Sequence, residues 1–136
     1  MRLFCAGLVV ILLTACSADR PPLVATDVVV AKPRSGMQVT AGYLTLSNNT
    51  TQAITITRVT SSEFASVEMH ESVIEDGIAR MIPLGDLTVH AGESVTFEPG
   101  GKHLMLMQPT GDDDGLTLEF YAGDAVVLTV DVALTR

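Results

Sequence analysis

The chain has no tryptophan, two tyrosines, four phenylalanines and only two cysteines in 136 residues. Both cysteines, Cys5 and Cys16, lie at the very start, so everything from Ser17 onward is free of thiols. A domain without thiols holds no disulfide and no thiolate metal site. That excludes zinc ribbons, CxxC redox centres and the cysteine-ligated blue-copper site, and it leaves stability to packing alone. Basic residues are scarce as well, with eight Lys and Arg against sixteen Asp and Glu and a net charge of −8. Removing Arg2, the one basic residue before Cys16, leaves seven against sixteen and a net charge near −9. Nucleic acid and anionic lipid surfaces are poor partners for such a field. An acidic exterior suits a domain that meets cations or a basic partner, and it serves plain solubility equally well. No Ser–His–Asp order, phosphate loop or carboxylate pair stands out, so no enzyme activity is expected.

What is present begins with an address. Met1 to Ala15 reads MRLFCAGLVVILLTA, one basic residue followed by an apolar run too short to span a bilayer. It ends in Leu13-Thr14-Ala15-Cys16, which resembles a bacterial lipobox, where the peptide is cut before a cysteine that then carries lipid. The expected organisation is a signal peptide over residues 1–15, a lipidated Cys16 with a linker over 16–23, and one domain over 24–136. About 120 mature residues suffice for one domain with a core and not for two. The expected location is the cell envelope, with the domain held on a membrane and facing the periplasm. In a cell with two membranes Ser17 favours the outer one, since it is not the aspartate that commonly signals inner-membrane retention.

Ser17 to Leu23 (SADRPPL) is polar, carries two prolines and reads as a short stiff linker. Beyond it, apolar and β-branched runs alternate with turn chemistry and show no helical period. Val24–Ala31, Gly42–Ser47, Ala53–Val59, Ala65–Val73, Ile78–Ile82, Leu87–Val89, Ser94–Phe97, His103–Met107, Leu116–Tyr121 and Ala125–Leu134 are the expected strands. Asn48-Asn49-Thr50-Thr51 marks one turn, and Glu75-Asp76-Gly77 is a strong hairpin signal. Many short strands with frequent turns indicate an all-β protein, an antiparallel sandwich or barrel. Asp112-Asp113-Asp114 reads as a solvated loop.

The histidines and methionines carry the chemistry. Ten residues separate His70 from Met81, twenty-one separate Met81 from His103, and one separates His103 from Met105. Residues two apart on a strand share a face, so His103 and Met105 can present an imidazole nitrogen and a thioether sulfur to one point. His70 and Met81 lie on opposite arms of the hairpin around Glu75–Gly77, which brings them close in space. Two His with two Met combine borderline and soft neutral donors and favour Cu(I) over Zn(II), Mg(II) or Ca(II). Met107 shares Met105's face and is either a substitute sulfur or a packing neighbour, with packing preferred. Met69 is expected to point away from His70 into the core, His90 to be an exposed loop residue, and Met37 to carry no functional signal.

The spacing His-x10-Met-x21-His-x-Met resembles the pattern of the periplasmic copper chaperones called the PCuAC family. The words AGYLTLSN, MHES, EDGIARM and AGESVTFEPGGKHLMLM are similar to that family too, and the likeness runs from about Val24 to Leu134. It implies a Greek-key, cupredoxin-like β-sandwich that binds Cu(I) through His70, Met81, His103 and Met105 at an exposed site. It further implies that copper is handed to another protein, such as a respiratory oxidase subunit; a monomer is expected, and a membrane tether at Cys16 would call for a soluble relay. A copper-sequestering envelope lipoprotein with no dedicated recipient is the alternative. The sequence departs from the pattern at His90, where the family commonly has proline, and in the short stretch Gln108–Gly115. It also shows no His- and Met-rich tail before Arg136.

Overall fold

A computed structural model describes residues 20–111 and 114–135. The expected signal peptide, Cys5, Cys16 and two of the three consecutive aspartates, Asp112 and Asp113, lie outside the described residues. Among the described residues regular structure is entirely strand: β1 (Leu23–Val30), β2 (Val39–Asn48), β3 (Ile54–Ile56), β4 (Arg58–Thr60), β5 (Phe64–Glu75), β6 (Ile78–Pro83), β7 (Leu87–Val89), β8 (Ser94–Phe97), β9 (Lys102–Pro109), β10 (Gly115–Ala122) and β11 (Ala125–Ala133). Every strand pairing is antiparallel, as expected.

The expected sandwich is more continuous than two separate leaves. One sheet runs β1-β2-β9-β5-β4-β10-β11, with β6 added to β5 and β8 to β2, while β3 and β7 form a small second sheet. Neighbours far apart in sequence, such as β2 with β9, are the crossed-over connections of a Greek key. A parallel bridge from Ala31 to Thr135 links the two ends, so the sheet nearly closes on itself. Closure hides edges that would otherwise pair with other chains.

The interior is filled by alternate residues of the longer strands. Leu44 and Leu46 of β2, Val67 and Met69 of β5, Leu104 and Leu106 of β9, and Leu116, Leu118 and Phe120 of β10 are all buried. Gly42 permits close packing there: a Cβ on it would stand 3.2 Å from Val30 Cγ2 and 3.3 Å from Leu106 Cδ1. Leu23 is buried as the first residue of β1.

One expected strand divides. The alternating run Ala53–Val59 breaks at Thr57, whose N–H donates to the Tyr121 carbonyl at 2.8 Å and whose hydroxyl accepts from the Gly123 N–H at 3.1 Å. Before the break β3 pairs with β7; after it β4 pairs with β10 and β5. The turn between β5 and β6 is as expected. Asp76 (φ 52°) and Gly77 (φ 77°) are both left-handed, the conformation of the two-residue hairpin turn that matches strand twist.

Candidate metal centre

The site is built on three neighbouring strands, β6, β5 and β9. β5 lies in the middle: it pairs with β9 over its first two thirds and with β6 over its last half. His70 stands directly opposite His103 on β9, and on its other side opposite Pro83 of β6. Two residues on, Ser72 faces Met81; two residues back, Glu68 faces Met105. Directly opposed residues of an antiparallel pair share a face, so Glu68, His70, Met81, His103 and Met105 all occupy one side of the sheet. The opposite side carries the core residues Met69, Leu104 and Leu106. Met69 is 7% exposed, as the alternation of β5 requires.

Three of the four expected ligands are in contact or stacked. The thioether of Met81 lies 3.2 Å from His103 Nε2. The rings of His70 and His103 stack with centroids 6.1 Å apart and planes inclined by 21°. Both imidazoles are buried, whereas Met81 is 59% exposed. Met105, half-buried, stands on the same face one cross-strand pair away, roughly 7 Å along β9 from His103. Met107 lies a further step out, opposite Ser66. His90 is exposed just beyond β7, and Met37 lines a separate cleft with Lys32, Arg34 and Phe64.

The hydrogen bonds define which nitrogens are available. His103 Nδ1 lies 3.1 Å from the Gly101 carbonyl, which can only accept, so in a neutral ring Nδ1 carries the hydrogen. Nε2 then turns a lone pair toward the lone pairs of the Met81 sulfur, an arrangement without a bridging hydrogen that suits an electrophile between two donors. His70 Nδ1 is buried and has no hydrogen-bond partner, a cost that a metal at that nitrogen would remove. Among the described residues no three His, Cys, Asp or Glu side chains cluster closely enough to hold a metal by themselves.

Glu68 is the residue that sequence reasoning missed. Its carboxylate lies 3.5 Å from His70 Nε2 and is about half exposed. The signal was available, since a residue two before His70 on a strand shares its face. On the reverse side of the hairpin, charges pair with each other: Lys102 with Glu71 at 2.9 Å and Arg80 with Glu75 at 3.7 Å.

Comparison with known proteins agrees with this architecture. A copper-bound PCuAC domain from PmoF2 superposes with a TM-score of 0.64 at 20% identity, over 85% of this chain and 93% of that domain. The likeness is one of fold, and it matches the cupredoxin-like expectation. A protein of Leifsonia xyli subsp. xyli named as a “putative lipoprotein” is 29% identical over 125 residues, 85% of this chain and 75% of that one. An uncharacterised protein of Rickettsia prowazekii is 26% identical over 99 residues, and the match spans 68% of this chain but just over half, 55%, of that protein. Residues 23–132 match the family described as “Putative lipoprotein LpqE-like”, and the chain belongs to this LpqE-like family.

Proposed function

We propose that this protein binds a single Cu(I) ion through His70, Met81, His103 and Met105 and passes it to another protein of the cell envelope. The observation that carries the reading is the opposed pair of free donors, His103 Nε2 and Met81 Sδ at 3.2 Å, beside the unpartnered Nδ1 of His70. Soft thioethers with imidazoles favour Cu(I) over Zn(II). Met105 completes the set by turning its side chain toward the histidines across the shared face. The exposure of Met81 supports hand-over, because an incoming ligand can replace this sulfur before the buried nitrogens let go. The recipient is a copper-accepting protein such as a respiratory oxidase subunit or a soluble relay, and the role is not catalytic.

Anaerobic titration against a competing chelator is expected to give one Cu(I) per chain, with mixed nitrogen and sulfur scattering in X-ray absorption. Zinc binding as tight as copper binding would sink this reading. Copper reaching an apo recipient no faster than it reaches a chelator would instead favour sequestration.

The anchor is part of the proposal. Lipid on Cys16 would leave residues 17–22 as the linker, a reach of about 20 Å when extended. Multiple acyl chains hold a protein on a membrane stably, which a single chain does not. Fractionation should place the wild type with membranes, while Cys16→Ala accumulates as unprocessed precursor or loses the acyl group. A wild-type N-terminus elsewhere than Cys16 would overturn the anchor without touching the copper site.

A further inference from the structure

We infer that Glu68 is a positioning residue that fixes the tautomer of His70, so that the two histidines meet copper through different nitrogens: His70 through Nδ1 and His103 through Nε2. The inference rests on the copper reading above and deepens it. A carboxylate is acceptor-only, and the Glu68 oxygen stands 3.5 Å from His70 Nε2. In the neutral ring the favourable arrangement places hydrogen on Nε2, facing that oxygen. Nδ1 then holds the lone pair. The alternative tautomer is penalised twice. It would bury an N–H at Nδ1, where no acceptor lies, and would turn the Nε2 lone pair toward a negative oxygen. His103 is fixed in the opposite sense by a different group, the Gly101 carbonyl 3.1 Å from its Nδ1.

The sheet explains why two unlike partners are needed. His70 and His103 are a directly opposed pair on antiparallel strands, stacked with their planes inclined by only 21°. Glu68 comes from β5 itself, two residues before His70, while Gly101 comes from the turn leading into β9, two residues before His103. Each ring therefore faces a group two positions earlier in the chain. An outer acceptor that faces the second ring nitrogen orients a metal-binding imidazole and raises its basicity, and its loss commonly costs 10- to 100-fold in affinity.

The test reads the ring nitrogens directly. Long-range nitrogen–proton NMR of the apo protein at about pH 8.5, where an ordinary imidazole is neutral, should show His70 as the Nε2–H form and His103 as the Nδ1–H form. In Glu68→Ala the His70 signals should move to a mixture of tautomers while His103 stays unchanged as an internal control. Glu68→Asp, which keeps the charge on a shorter arm, should fall between. The Cu(I)-loaded wild type is diamagnetic, and its coordination shift at His70 should appear on Nδ1, with affinity in Glu68→Ala lowered about tenfold or more. An Nδ1–H tautomer of His70 in the wild type, or copper on its Nε2, overturns the inference. So does an affinity loss in Glu68→Ala with tautomers unchanged, which would mean that Glu68 acts only as a nearby charge. None of those results would touch the copper reading, which fails only if the wild type does not prefer Cu(I).

Discussion

Replacing Met81 by alanine is expected to lower Cu(I) affinity at least about a hundredfold, equal to about 2.7 kcal/mol of binding free energy, with the fold intact. The side chain is 59% exposed on β6, so its loss removes little buried surface. Stability should change by no more than about 0.5 kcal/mol, the range of surface substitutions. Its sulfur, though, is the donor already beside His103 Nε2, at 3.2 Å. In the proposed site its loss would leave the two imidazoles with a single thioether, and the preference for the soft ion would weaken. Chelator competition and denaturant unfolding on the same variant separate the two effects. Met105→Ala should resemble Met81→Ala, and Met107→Ala should do less, because Met107 stands a further step from the histidines along β9. An order reversed between Met105 and Met107 would reassign the fourth ligand.

Replacing Met69 by alanine is expected to do the opposite. Met69 is bonded to His70 in sequence but lies on the other face of β5, 7% exposed among the core side chains. A large-to-small change there costs about 2–5 kcal/mol through lost transfer energy and the cavity left behind. Denaturant unfolding should show that loss, while the variant that remains folded keeps Cu(I) affinity within about threefold (~0.7 kcal/mol). If Met69→Ala instead abolishes binding and spares stability, the facing of β5 is wrong and the ligand set must be redrawn.

These opposite expectations for two methionines follow from the period of a strand, which is why so much of the site could be read before the structure. Spacing placed His103 and Met105 on one face. The Asp76-Gly77 turn folded Met81 back toward His70, and alternation sent Met69 inward. What could not be read is which strands come to lie side by side. That His70 and His103 are directly opposed depends on the pairing of β5 with β9, a contact between distant segments that no local pattern encodes. The same holds at Thr57. The run Ala53–Val59 alternates as far as Thr57 and slips phase at Arg58, but the groups that split it, the backbone at Tyr121 and Gly123, are ones the chain reaches only some 65 residues later. Glu68 was passed over for a different reason. Surface carboxylates are common in so acidic a chain, and only the placement of His70 Nε2 distinguishes this one.

The strand that carries Met81 has one side without a neighbour. Among the described residues β6 pairs with β5 alone, so its outer row of backbone donors and acceptors is open. Ile78 and Ile82 on this strand, with Ile74 across the hairpin, are exposed at 58%, 42% and 79%. An open edge lined with isoleucine is a template on which another chain can stack, next to the strand that carries Met81. Arg80, in the middle of the strand, interrupts that template with a charge. The net charge of −8 acts over a longer range by keeping like molecules apart. For this chain, the acidity that first marked it as a poor partner for nucleic acid also works as a colloidal safeguard, keeping an accessible sulfur from becoming the seed of an aggregate.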